Sequence, residues 1–174
     1  MLCKSQKKAT ALSKAKLILS PAFYTDLKEI RHMYQQAFKS LYGKYQDRET
    51  NPYCESLKSL QKKFKRPNNA FFFIIVKDKH IGLIRVVTDR KNSAARISPF
   101  LILPFYQGKG YAQLGLQLIE EQFPLIQTWY VDTIAEEPKL VHLYRKVGFQ
   151  QLPDRETTIN EHMHIIYFVK VRSW

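Results

Sequence analysis

The 174-residue chain has only two cysteines, Cys3 and Cys54. They provide no disulfide framework and no metal-binding spacing, so a reducing cytoplasm is the expected setting. Long apolar runs are missing as well. The longest, Ala70 to Val76, is far too short to span a bilayer, and no membrane partner is expected. A secretory signal is not expected either, because Ser13, Lys14 and Lys16 interrupt each candidate apolar core near the N-terminus. No internal repeat, low-complexity stretch or interdomain linker is visible. Acidic residues are few: 15 against 28 lysines and arginines, a formal net charge of +13.

What remains is a globular composition, 45% hydrophobic and 25% charged, at the length of one domain. Residues 1 to 15 carry no acid and little apolar periodicity, and are expected to form a mobile basic tail ahead of a single domain over 16 to 174. A second basic cluster comprises Lys58, Lys62, Lys63, Lys65 and Arg66. A basic surface attracts anions in general, from nucleic acids to a cofactor with several phosphates. No nucleic-acid-binding motif accompanies the charge, so no specific nucleic-acid partner is expected.

Periodicity predicts a short strand at Lys16 to Leu19. It then predicts a helix from Asp26 to about Leu41, opened by a capping box of Asp26 and Glu29. Gly43 to Asn51 reads as a loop, and Pro52 to Phe64 as a second helix with proline in its first turn. Ala70 to Val76 and Ile81 to Thr88 read as a hairpin, and Ala95 to Leu103 as a further strand. A helix follows from Tyr111 to Phe123, with Leu114, Leu118 and Ile119 as its buried face. Next come a strand at Trp129 to Ile134 and a helix at Pro138 to Val147 with Gly148 as its left-handed cap. Strand signals at Gln150 to Leu152 and His162 to Val171 close the chain.

Between the strand ending at Leu103 and the helix starting at Tyr111 lies Gln107-Gly108-Lys109-Gly110-Tyr111-Ala112. A helix N-terminus offers unpaired N–H groups and partial positive charge, and glycines let a ligand approach the backbone. This is a seat for a phosphate or pyrophosphate. The phosphate-loop pattern is excluded because Tyr111, not Lys-Ser/Thr, follows Gly110. The dinucleotide fingerprint also fits poorly, because Gln113 stands where a third glycine or alanine is required. Taken alone, two glycines at such a junction are more often a tight turn than a ligand site.

A second motif, Tyr144-Arg145-Lys146-Val147-Gly148-Phe149, lies about 35 residues downstream. Together the two stretches resemble the GNAT family, the GCN5-related N-acetyltransferases. Gln107, Gly110 and Ala112 match the family's Gln/Arg-x-x-Gly-x-Gly/Ala, and Tyr144, Gly148 and Phe149 match its Tyr-x-x-x-Gly-Phe/Tyr. The resemblance implies an α/β fold with a central mixed sheet flanked by helices on both faces. It also implies that the strands ending at Leu103 and Ile134 are parallel neighbours that splay to admit the pantetheine arm of CoA.

It further implies an enzyme that transfers the acetyl group of acetyl-CoA to an amine by direct attack in a ternary complex, without a metal. The backbone of Gln107, Gly108, Lys109, Gly110, Tyr111 and Ala112 would cradle the pyrophosphate. The backbone of Leu101, Ile102 and Leu103 would pair with pantetheine, with the Leu103 N–H as oxyanion donor. Lys109 would add charge, and Tyr144 would be the general acid that protonates the leaving thiol, whose reference pKa is about 8.5. Core packing of Tyr144 against its helix neighbours is the competing reading of that residue.

The base is open. The strand segment Arg96-Ile97-Ser98-Pro99-Phe100 lacks the glutamate many relatives carry. The candidates are Asp132, Glu136, Glu137, His162 and His164. Glu137 stands where many relatives have an asparagine that bonds pantetheine. The acceptor, a small-molecule or peptide amine, is not specified, and a homodimer stays open. The rival readings are an acyl-CoA-binding module without turnover and a basic nucleic-acid- or ribosome-associated protein.

Overall fold

A computed structural model describes residues 16–172; the expected basic tail, residues 1 to 15, lies outside them. The strands are β1 (Leu17–Pro21), β2 (Asn69–Val76), β3 (Lys79–Thr88), β4 (Ala94–Ile102), β5 (Thr128–Ile134), β6 (Gln150–Asn160) and β7 (Met163–Val171). The helices are α1 (Leu27–Tyr45), α2 (Leu57–Phe64), α3 (Tyr111–Gln122) and α4 (Pro138–Lys146). The strands form one sheet in the order β1-β2-β3-β4-β5-β7-β6. Among the described residues only the central pair, β4 and β5, is parallel; the other neighbours are antiparallel.

Helices cover both faces. Phe71 and Phe73 of β2, Leu83 of β3 and Leu101 of β4 pack under Leu27, Ile30, Met33 and Tyr34 of α1 and Leu60 of α2. Ile74, Ile84, Ile97, Trp129 and Val131 pack on the other face, under Leu116 and Ile119 of α3, Tyr144 of α4 and Val147 just after it. A central strand buried on both sides reads as a continuous apolar run, which is why Ala70 to Val76 shows no alternation. The inward face of α3 differs from the expected one. Leu116 is fully buried beside Ile119, whereas Leu114 and Leu118 are half-buried at its margins.

Several element boundaries depart from the sequence pattern. The α1 helix runs one turn beyond Leu41, because Tyr45 is buried against Ile134 and Met163. The expected capping box is not made. The Asp26 carboxylate instead accepts the Phe23 N–H at 2.7 Å, closing a 3-10 turn ahead of the helix, while Glu29 bonds His80 Nδ1 at 2.7 Å. Pro52 opens a separate 3-10 turn, and α2 begins later, where the Ser56 hydroxyl caps the Ser59 N–H. The largest difference is β6, which continues to Asn160 as an edge strand. Its residues 153 to 158 are polar and mostly exposed, and its pairing with β7 is interrupted between Gln151 and Glu156, so no hydrophobic alternation marks it. His162 therefore lies in the β6–β7 turn and not on a strand with His164.

One irregularity shapes the sheet centre. Ile84 pairs with Phe100 and Val86 with Ile97, so Arg85 stands opposite two residues, Ser98 and Pro99. This is a β-bulge. Pro99 has no N–H to give the ladder. Arg85, only 9% exposed, fills in with its side chain: Nη1 donates to the Ser98 carbonyl at 2.7 Å and Nε to Asn69 Oδ1 at 2.8 Å. The pairing of β4 with β5 covers only Ala94–Ile97 against Thr128–Val131 and stops where the bulge begins.

Two acids after β5 set the start of α4. Glu136 accepts the His164 backbone N–H at 3.1 Å and lies 2.5 Å from its Nδ1. Glu137, the residue before α4, takes Lys44 Nζ at 2.6 Å and the Tyr45 hydroxyl at 2.7 Å. Burial pushes both carboxyls up, but the hydrogen bonds outweigh it and leave them below the ordinary glutamate value. The hydrogen bond to Glu136 raises His164, against a smaller opposing effect of desolvation. Among the described residues no helix is long and apolar enough to cross a membrane.

Two outcomes follow from these ties. Arg85→Met strands the Ser98 carbonyl and the Asn69 amide oxygen. Each such loss costs about 1–3 kcal/mol, so urea unfolding is expected to show a marked drop in midpoint. For the His164–Glu136 pair the sign is set by both shifts. The raised His164 contributes below its unfolded pKa and is lost as pH rises through its folded value. The lowered Glu136 contributes above its unfolded pKa and is lost as pH falls through its folded value. The melting-temperature difference between wild type and His164→Gln should therefore peak at about pH 5–6 and shrink towards pH 8. A difference that stays flat over that range would dismiss the pair as a stabilising contact.

Candidate active site

Past Ile97, β4 follows β3 while β5 follows β7, and the two central strands part. The gap between them opens into a cavity of about 710 Å³. Its walls come from α1 and the loop after it, the ends of β4 and β5, the start of α3, one side of α4, and β6 and β7.

The β4 edge on this gap follows from the register. The Leu103 N–H donates to the Ile81 carbonyl at 2.8 Å, so Leu103 and, by alternation, Leu101 turn their backbone groups to β3. Phe100 and Ile102 turn theirs the other way, to the side β5 has left. This corrects the expectation for Leu103, whose N–H is already committed and is not free to meet an oxyanion. The Ile102 carbonyl takes Gln107 Nε2 at 2.8 Å, which ties the glycine loop to the strand end.

The loop itself is open. Gly108 and Gly110 have φ of 72° and 82°, conformations that side chains disfavour, and a Cβ built on either meets no atom within 4 Å. Gly110 precedes α3, and the first bond into the helix is Leu114 N–H to the Gly110 carbonyl, at 3.2 Å. The N–H groups of Tyr111, Ala112 and Gln113 are thus the unpaired donors of a helix start. Of the loop residues singled out from the sequence, Gln107, Gly108, Gly110, Tyr111 and Ala112 border the cavity. Lys109 does not. Its ammonium lies over the rings of Phe105, at 4.6 Å, and Tyr106, at 5.6 Å.

Opposite the loop stands Tyr144, and the motif that contains it is a helix stop. The Phe149 N–H donates to the Tyr144 carbonyl at 3.0 Å and the Gly148 N–H to the Arg145 carbonyl at 3.1 Å. Gly148 has φ 95°, and the Tyr144 and Phe149 rings meet edge-on at 6.0 Å. This is a complete Schellman motif with its hydrophobic contact. The spacing Tyr-x-x-x-Gly-Phe is the spacing such a stop requires, and it fixes Tyr144 between Phe149 and Phe168. The ring is buried, yet Tyr144 borders the cavity, and its hydroxyl has no hydrogen-bond partner among the described residues. Burial, reinforced by the Asp132 carboxylate, pushes the hydroxyl above the ordinary tyrosine value.

Of the five candidate bases only Asp132 borders the cavity. Its Oδ1 takes both Nη2 of Arg96, at 2.6 Å, and Nε, at 2.9 Å. Glu136, Glu137 and His164 are held in the ties before α4, and His162 is exposed beside Glu161. No group of three or more His, Cys, Asp or Glu among the described residues is arranged to hold a metal. Sequence reasoning passed over Arg85, although a charge inside the apolar stretch Ile81 to Val87 was a signal. It also missed Thr157 and Tyr167 on the far wall, which no local pattern marks.

The profile of the acetyltransferase (GNAT) family matches residues 27–149. Among solved structures, the ribosomal-protein-S18-alanine N-acetyltransferase of Escherichia coli aligns with a TM-score of 0.72 at 16% identity, over 91% of this chain and 96% of that one. The spermidine N-acetyltransferase of Vibrio cholerae in complex with CoA and spermine aligns at 0.70 and 22%, over 89% and 95%. An acetyltransferase of Thermus thermophilus aligns at 0.70 and 15%, over 90% and 97%. A sequence comparison with curated proteins gives no match. With the family profile spanning the glycine loop, the parted strands and the tyrosine helix stop, the chain belongs to the GNAT acetyltransferase family.

Proposed function

We propose that this protein transfers the acetyl group of acetyl-CoA to an amine, by direct attack with both substrates bound in the cavity between β4 and β5. One observation carries the reading. A single cavity is bounded by the open glycine loop at the α3 N-terminus, by the unpaired edge of β4, and by Tyr144. These surfaces suit a ligand with a pyrophosphate, an amide-bearing arm and a thioester. The backbone donors of residues 108 to 112 would hold the pyrophosphate. The free edge at Phe100 and Ile102 would pair with the arm and supply an N–H to the thioester oxygen, a kind of contact worth about 3 kcal/mol in other enzymes.

In the reaction the amine nitrogen bonds to the thioester carbon and the carbon–sulfur bond breaks. Tyr144 Oη gives its proton to the departing sulfur. A hydroxyl held above its ordinary pKa is protonated at neutral pH and so has that proton to give. The amine's proton leaves through water to Asp132, the one candidate carboxylate on the cavity wall in this reading. The structural neighbours are named for acting on spermidine and on a ribosomal-protein alanine. Both are amines, which supports the acceptor class. A cytoplasmic setting is in keeping with this chemistry and with the scarcity of cysteine.

Tyr144→Phe keeps the ring packing and removes only the proton donor. CoA release with an accepted amine should fall roughly 10²- to 10⁴-fold, while acetyl-CoA still raises the melting temperature as in wild type. Lower stability with unchanged turnover would assign Tyr144 to packing alone. Gly110→Asp, which sets a negative side chain in the loop, should abolish the acetyl-CoA-dependent rise. Acetyl-CoA binding without CoA release from any amine would leave an acyl-CoA-binding module in place of an enzyme.

A further inference from the structure

The cavity wall remote from the glycine loop is where an acceptor would lie, and its charge is one-sided. Two carboxylates border the cavity, Asp47 and Asp132. Asp47 is buried and serves its own loop, accepting the N–H groups of Glu49 at 3.0 Å and Thr50 at 2.9 Å and the Thr50 hydroxyl. Asp132 is covered by Arg96. The two sides of that pair are not equally visible: the Arg96 side chain is 52% exposed and that of Asp132 only 20%. Both contacts from Arg96 use Nε and Nη2, so Nη1 has no partner among the described residues. On the same wall Thr157 and Tyr167 share a hydrogen bond of 2.8 Å. An acceptor there meets the Arg96 guanidinium and no uncompensated carboxylate among the described residues.

We propose that the acceptor is an amine whose body carries a carboxylate near the reacting nitrogen, and that Arg96 selects it by pairing with that carboxylate. The proposal rests on the acetyl-transfer reading above. A guanidinium with a free edge is suited to bind a carboxylate, and it repels a polycation. Asp132 holds Arg96 in place while leaving Nη1 for the acceptor. Two sources share this chemistry, a free acidic amino acid and a peptide whose first residues are acidic.

The test is CoA release by the full chain with four acceptors: glutamate, a peptide with an acidic N-terminal segment, a neutral peptide of equal length, and spermidine. The acidic acceptors should exceed the neutral peptide in kcat/KM by about tenfold or more, ~1.4 kcal/mol, and spermidine should be the poorest. The better of the two acidic acceptors identifies the source. Arg96→Met removes the guanidinium and uncovers Asp132, so it should erase the acidic preference and improve spermidine relative to the neutral peptide. Arg96→Lys should restore part of the acidic preference. The acetyl-CoA-dependent rise in melting temperature checks that each variant folds. Spermidine or the neutral peptide ahead in wild type overturns the acceptor assignment, and so does an equal loss for all four acceptors in Arg96→Met. Acetyl-CoA binding with no CoA release from any acceptor defeats acetyl transfer itself and takes the acceptor assignment with it.

Discussion

Everything functional in this molecule depends on β4 parting from β5. Parallel strands side by side satisfy each other's backbone groups, and a central pair that separates leaves donors and acceptors unpaired in the middle of a sheet. The separation starts at a bulge where Arg85 faces both Ser98 and Pro99. Proline cannot donate to the ladder, and the neighbouring Ser98 carbonyl takes its hydrogen bond from the Arg85 side chain. A buried charge is costly without partners; here its partners are the Ser98 carbonyl at the bulge and the Asn69 amide oxygen of β2. The outcome is a stretch of β4 paired on one side only, facing a cavity.

The cavity is then furnished from elements that pack for other reasons. The α3 helix is seated by Leu116 and Ile119 on the sheet, and that seating brings its N-terminal N–H groups to the mouth of the gap. The α4 helix stops by a Schellman motif, and the Tyr144–Phe149 contact that such a motif needs is what holds the tyrosine ring. The packing of Tyr144 and its proposed role as proton donor therefore fall to two parts of one side chain. Its ring belongs to the core, and its hydroxyl is left at the cavity without a partner among the described residues. Glu136 and Glu137 contribute at a distance, by fixing where α4 begins against β7 and α1.

Charge is distributed with a similar division. The net positive charge is a property of the whole surface, but what the proposed acceptor would meet depends locally on which side of the Arg96–Asp132 pair is exposed. The lysine of the glycine loop shows the same point in reverse. Lys109 is adjacent in sequence to both glycines, yet it folds over Phe105 and Tyr106 and does not line the cavity.

Elements whose signal is local could be read from the chain without its fold. The order of strands and helices was legible because apolar periodicity is set by secondary structure within a few residues. The glycine loop and the tyrosine helix stop were legible because positive φ and cap hydrogen bonds demand particular residues at fixed spacing. Tertiary structure decided what depends on distant partners. It lengthened α1, because Tyr45 finds Ile134 and Met163, and it formed β6 from polar residues, because an edge strand needs only β7 to pair with. It turned the Leu103 N–H to β3 and left Phe100 and Ile102 facing the gap, a choice made by register across strands that no local pattern carries. It also placed Asp132, alone of the five candidate bases, on the cavity wall and paired it with Arg96, since which side chains share a cavity is settled only when strands far apart in the chain lie side by side.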